Sequence, residues 1–197
     1  MKIKGCSAGR WLGLALLIFS GPVLAGGKCE YVPPKFESLT YKEGDYLPVY
    51  FSKFQMSLPG KPVGFLSTDG FIAVYPDKVT VGIQHIAQDD REEVAPLLAP
   101  GLKSISGYYR LIYGAPASIS AWSDDELVSQ RRMLRLDCNS RVAFFRVGGS
   151  EVLFHKAKEK KGIHVIVVLN GDDVELITTS GSEQMALQII ASIKRRL

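Results

Sequence analysis

Cysteine is scarce, with three in 197 residues and no two at Cys-x-x-Cys spacing. That excludes a thioredoxin-like exchange site and a zinc knuckle. No Gly-x-Ser-x-Gly elbow, Gly-rich phosphate loop ending in Gly-Lys, or His-Glu-x-x-His is present, so no familiar hydrolase, nucleotide or metalloprotease motif is offered. No apolar run reaches the ~20 residues that a helix needs to cross a bilayer. Internal repeats, low-complexity blocks and long polar linkers are missing as well.

What is present begins at the N-terminus. Lys2, Lys4 and Arg10 precede the apolar stretch Trp11 to Phe19, which Ser20, Gly21 and Pro22 break. Val23 and Ala25 then stand at the −3 and −1 positions of a cut after Ala25. This order predicts a cleaved secretory signal peptide over residues 1–25 and a periplasmic mature protein with no stable membrane anchor. A lipoprotein cut before Cys29 is disfavoured, because the charged Lys28 precedes it where a small residue is wanted.

Removing 25 residues changes the electrostatics. The tag carries three basic and no acidic residues, so 24 basic against 20 acidic becomes 21 against 20. The near-neutral remainder gives no case for nucleic acid. Cys29 and Cys138 remain in a compartment that favours oxidation, which predicts one disulfide closing a loop of about 110 residues. Chain entropy values such a loop at roughly 4–5 kcal/mol, less strain. Two buried free thiols are the alternative.

The rest predicts an extended, aromatic-rich arm or short edge strands over 26–53, followed by a single α+β domain over 54–197. "FQMSLP", "PVGFLS", "FIAVY" and "VTVGIQHI" read as strands, the last two joined by the turn Pro76-Asp77-Lys78. The middle reads as helical. Asp90 and Glu93 mark one start, Leu102, Ile105, Tyr109 and Ile112 share a face ending at Gly114, and Ser123 with Glu126 opens a third helix. "RVAFFRV", "EVLFHKA", "IHVIVVL" and "VELITTS" have connections short enough for a four-strand antiparallel meander. A helix from about Glu183 closes the chain, with Ala186, Ile189, Ile190, Ile193 and Leu197 as its buried stripe and Lys194, Arg195 and Arg196 at its C-terminal end. The expected fold is an α+β antiparallel sheet, made of an N-terminal hairpin and this meander, with the helical segment and the last helix packed on it.

Chemistry-bearing residues are few. His155 and His164 flank "KAKEKKG" and face each other only if a two-residue turn is centred on Glu159-Lys160, with no third metal ligand in view. His85 precedes Asp89 and Asp90, an arrangement that could make an oriented base, but the start of the next helix already accounts for the acids. Lys156 to Lys161 reads as a solvated tip. Seven of the mature chain's 17 aromatics lie between Tyr31 and Phe54, where they either anchor an irregular arm to the core or form a recognition surface. Tyrosine supplies rigid contact area with a polar tip, which makes Tyr41, Tyr46, Tyr50 and, on a helix, Tyr108 the candidate binding residues. No catalytic residue, metal ligand or cofactor is assigned.

The functional expectation is an exported, non-catalytic protein that binds a protein partner in the cell envelope, in the concrete form of an inhibitor or immunity protein against a toxin or cell-wall enzyme. The alternatives are a small envelope hydrolase with dispersed residues, using His85 or His155 and His164 as base, and a lipid- or small-molecule-binding domain.

Overall fold

The computed structural model describes residues 34–40, 44, 46–51, 53–67, 70–87, 104–115, 123–134, 136, 141–157 and 162–196. Eleven strands and three α-helices occur among these residues: β1 (Phe36–Glu37), β2 (Tyr46–Phe51), β3 (Phe54–Pro59), β4 (Gly64–Ser67), β5 (Phe71–Val74), β6 (Thr80–Ile86), α1 (Ile105–Tyr113), α2 (Asp124–Met133), β7 (Arg141–Val147), β8 (Ser150–Lys156), β9 (His164–Asn170), β10 (Asp173–Thr179), α3 (Glu183–Ala191) and β11 (Lys194–Arg195).

The C-terminal meander forms as its turn residues dictate. Gly148 and Gly149 both adopt positive φ, 54° and 81°, the twist that a two-residue hairpin turn demands. Gly171, at φ 61°, does the same between β9 and β10. β10 then pairs with β6 rather than with a sequence neighbour, giving the order β1-β7-β8-β9-β10-β6-β5-β4. All of these pairings are antiparallel except β1 with β7, which is parallel. The α+β class stands, but with two corrections. The large sheet is mixed, and "FQMSLP" does not belong to it. β3 joins β2 and β11 in a separate three-stranded sheet. The arm therefore contributes two edge strands, β1 to the large sheet and β2 to the small one.

Alternation along the central strands buries both faces of the large sheet. On one, Val152, Phe154, Ile166, Val168 and Ile177 pack with Ala186, Ile189 and Ile190 of α3 and with Phe54, Met56 and Leu58 of β3. On the other, Leu153, Val167, Leu169 and Val174 meet Ile105, Tyr108 and Ile112 of α1. Each fully buried aliphatic side chain stabilises the fold by about 1.5–3 kcal/mol.

The helices start where their caps stand. Ser104 Oγ accepts the Gly107 N–H at 3.0 Å, and Ser182 Oγ accepts that of Met185 at 3.1 Å. Ser123 and Glu126 form the reciprocal capping box. Gly114 ends α1 at φ 69° in the left-handed conformation. Arg131 of α2 reaches across to this end, its Nε donating to the Ile112 carbonyl at 2.8 Å. The closing helix is shorter than its apolar stripe implies. Ser192 Oγ donates to the Ile189 carbonyl at 2.7 Å and accepts the Ser57 N–H at 2.8 Å, so the chain leaves the helix there. Lys194 and Arg195 form β11 against Gln55 and Phe54 instead of completing the helix. The expected helix near Asp90 and Glu93, Leu197, and both Cys29 and Cys138 lie outside the described residues. No helix among those described is long and apolar enough to cross a membrane.

Candidate functional site

The face of the large sheet that carries α3 also carries polar side chains toward one end. β6 and β10 run antiparallel with His85 directly opposite Glu175. Their side chains meet, His85 Nδ1 lying 2.7 Å from Glu175 Oε1. Glu175 is 3% exposed, whereas the His85 side chain is 37% exposed. The second carboxylate oxygen, Glu175 Oε2, is buried and has no hydrogen-bond partner among the described residues. Burial pushes the Glu175 carboxyl above the ordinary carboxylate range, against the opposing pull of His85.

The β2–β3 turn closes over this pair from the small sheet. Lys53 Nζ lies 2.9 Å from Asp173 Oδ2, two residues before Glu175 on the same face. Phe51, Phe54, Met56 and Ile83 line a cavity of about 10 Å3 together with Glu175, room for about one water. A groove of about 120 Å3 lies between Leu39-Thr40 and α3. Both are below the ~300 Å3 at which ligand pockets begin.

A different kind of surface lies beside the site, at the outer edge of the large sheet. β4 and the residue before it read "VGFLS", with Val63 70% exposed, Phe65 49% and Leu66 56%. Val63, Phe65 and Ser67 fall on the α3 face, and Gly64 and Leu66 on the other. Phe65 stacks at 5.2 Å on Phe71, which meets Phe51 of β2 at 6.0 Å, so an aromatic row links this edge to the arm.

The sequence candidates are dispersed. Tyr50 is 58% exposed on β2, with the Arg196 guanidinium 5.5 Å over its ring. Tyr46 is half-buried on the same strand and face, and Tyr41 lies outside the described residues. Tyr108 is only 7% exposed, packed between α1 and the sheet, so it cannot serve as a surface anchor. Tyr109 is half-buried, and burial with the nearby Tyr108 pushes its phenol up to about 12. The histidine pair does not form. His155 stands opposite Val165, which places His155 and His164 on opposite faces of the sheet. Instead, His164 stacks on Phe154 at 5.8 Å, and its Nδ1 accepts the Ala157 N–H at 3.1 Å. Among the described residues no group of three His, Cys, Asp or Glu side chains is placed to hold a metal. The partner of His85 was missed in the sequence. Asp89 and Asp90, the acids near His85 in sequence, lie outside the described residues, and Glu175 carries no local signal beyond being an acid between Val174 and Leu176.

Comparison with known proteins adds little. No family model matches the chain, and no curated protein does. Among solved structures, a 1.50 Å crystal structure from Bacteroides thetaiotaomicron VPI-5482 is similar at 16% identity and a TM-score of 0.31. The alignment covers 73% of this chain and 45% of that one, so the chain spans less than half of its neighbour's length.

Proposed function

We propose that this chain is an exported, periplasmic protein that works by binding another protein of the cell envelope, as an inhibitor or immunity protein does. The observation that carries the reading is the β4 edge. A sheet edge offers unpaired backbone N–H and C=O groups, and natural proteins usually guard it with lysine, proline or a covering segment. β4 has no charged residue and exposes Val63, Phe65 and Leu66 beside that edge. At the opposite edge, β1 lies along β7. The complement to β4 is an extended, apolar segment of the partner, added as one more strand with its alternate side chains on Phe65 and Leu66. Tyr50, on the neighbouring small sheet, adds an exposed aromatic to the same binding function.

The test is capture from periplasmic extract by the mature chain, run beside Phe65→Lys and Leu66→Lys. The reading expects one stoichiometric protein partner, lost or weakened at least tenfold by either substitution, and hydrogen-exchange protection of the amides from Gly64 to Ser67 in the complex. A partner that binds both variants as well as the wild type overturns it, as does the absence of any partner.

A further inference from the structure

The His85–Glu175 pair is not needed to bind a strand at β4, and it is costly to the fold. A buried carboxylate with one oxygen unpaired among the described residues loses hydration that those residues do not replace. A hydrophobic residue at position 175 would suit the surrounding Phe51, Ile83, Val168 and Ile177 better than an acid does. The sheet holds the acid in register all the same, opposite the one histidine on this face that remains partly open to solvent.

We infer that His85 and Glu175 form an acid–base site in which His85 acts as a general base on water and Glu175 positions it, with a carboxylic ester as the substrate class. The geometry assigns the roles. Glu175 Oε1, at 2.7 Å, accepts the proton on His85 Nδ1, so the neutral ring keeps its lone pair on Nε2. Glu175 is buried and His85 is not, which gives the carboxylate the positioning role and the imidazole the contact with substrate. The other groups facing the pair are Asp173 on β10 and Lys53 in the β2–β3 turn, which neutralise each other at 2.9 Å. From β9 the neighbouring groups are the apolar Val168 and the neutral Asn170, and from the small sheet they are Phe51, Phe54 and Met56. Among the described residues, an imidazolium formed at His85 thus finds one uncompensated anion beside it, Glu175.

The step balances without a co-reactant other than water. Nε2 takes a proton from water as the oxygen adds to the ester carbonyl carbon. The tetrahedral adduct collapses by breaking the bond to the alkoxy oxygen, and that oxygen takes the proton back from Nε2. A carboxylic acid and an alcohol leave, and the neutral imidazole is restored. Magnitude decides the substrate class. An oriented base contributes on the order of 10²–10⁴-fold, far below the ~10⁶-fold or more of a full catalytic constellation. That suits an ester, with its good leaving group, and not a peptide bond.

The experiment uses p-nitrophenyl acetate and the mature chain. Hydrolysis is expected to exceed that by an equimolar amount of free imidazole by at least tenfold. His85→Gln brings it to the imidazole level or below, and His155→Gln leaves it unchanged. Glu175→Gln lowers the rate about tenfold or more. In the same variant, nitrogen NMR of His85 changes from the Nδ1–H tautomer to a mixture, a readout that mere structural support would not move. Diethyl pyrocarbonate, mapped by mass spectrometry, supplies a check independent of turnover, with His85 modified faster in the wild type than in Glu175→Gln. Wild-type hydrolysis no faster than imidazole, or His85→Gln as active as the wild type, overturns the inference. If Glu175→Gln does not fold, the exposed His85→Gln variant and the wild-type tautomer still decide it.

Discussion

Two histidines on one face of the large sheet have been treated in opposite ways. His164, where β9 begins, is closed in. It is 5% exposed, stacked on Phe154, bonded through Nδ1 to the Ala157 amide, and flanked by the Lys156–Glu183 ion pair. His85, near the end of β6, keeps over a third of its side chain open, and its carboxylate partner has an oxygen with no partner among the described residues. The residue type and the packing layer are the same. A histidine closed in on every side fixes local structure, and one set against a buried acid at an open rim can also meet what comes from solvent.

The comparison is broken most strongly at its closed end. Phe154→Ala removes the ring under His164 and leaves a core cavity, so unfolding in urea is expected to show a loss of about 3–5 kcal/mol. Next comes pH. Burial holds the His164 imidazole below its ordinary value. Its unfolded form therefore takes up a proton first, and stability falls as the pH drops below about 6.5 toward the lower folded value. Glu175 has the opposite sign. Its folded pKa is raised, so the folded state holds the extra proton, and this contribution is full below about 4.5 and lost as pH rises through the folded value. Urea midpoints across pH 4 to 8 should show His164→Phe removing the acid-side loss and Glu175→Gln removing the loss on raising pH. Neither substitution altering its slope would overturn the contrast. The smallest effect is at the rim, where Lys53→Ala breaks a partly exposed ion pair and should cost about 0–1 kcal/mol in the same assay.

Local elements were legible in the sequence, and their partners were not. The meander, the cap at Ser123 and the stop at Gly114 depend on residues within a few positions of one another, and each formed as its chemistry required. The pairing of β6 with β10 joins residues 90 apart in sequence, and no local pattern names Glu175 as the neighbour of His85. On α1, Ile105 and Ile112 are buried and Tyr109 packs partly buried on the same cluster, as the spacing requires. Tyr108 is buried there too, because a helix face is wide enough to take both neighbours. Lys194 and Arg195 matched a helix end until β3 offered them a strand to pair with. The edge at β4 was visible only as a short apolar run, since a strand's place at the rim of a sheet depends on every other strand.

The contact between the two turns near the C-terminus sets an order of events during folding. A Cβ on Gly148 would lie 2.3 Å from the Ile193 carbonyl oxygen, so only glycine lets the final segment pass this close. That segment then donates the Arg195 N–H to the Gly148 carbonyl at 3.2 Å and pairs with β3, some 140 residues earlier in the chain. The small sheet thus gains its third strand only once Lys194 and Arg195, far along the chain from β3, are in place. Until then β3 lacks a partner strand on that side, and its apolar side chains stay open to whatever lies nearby.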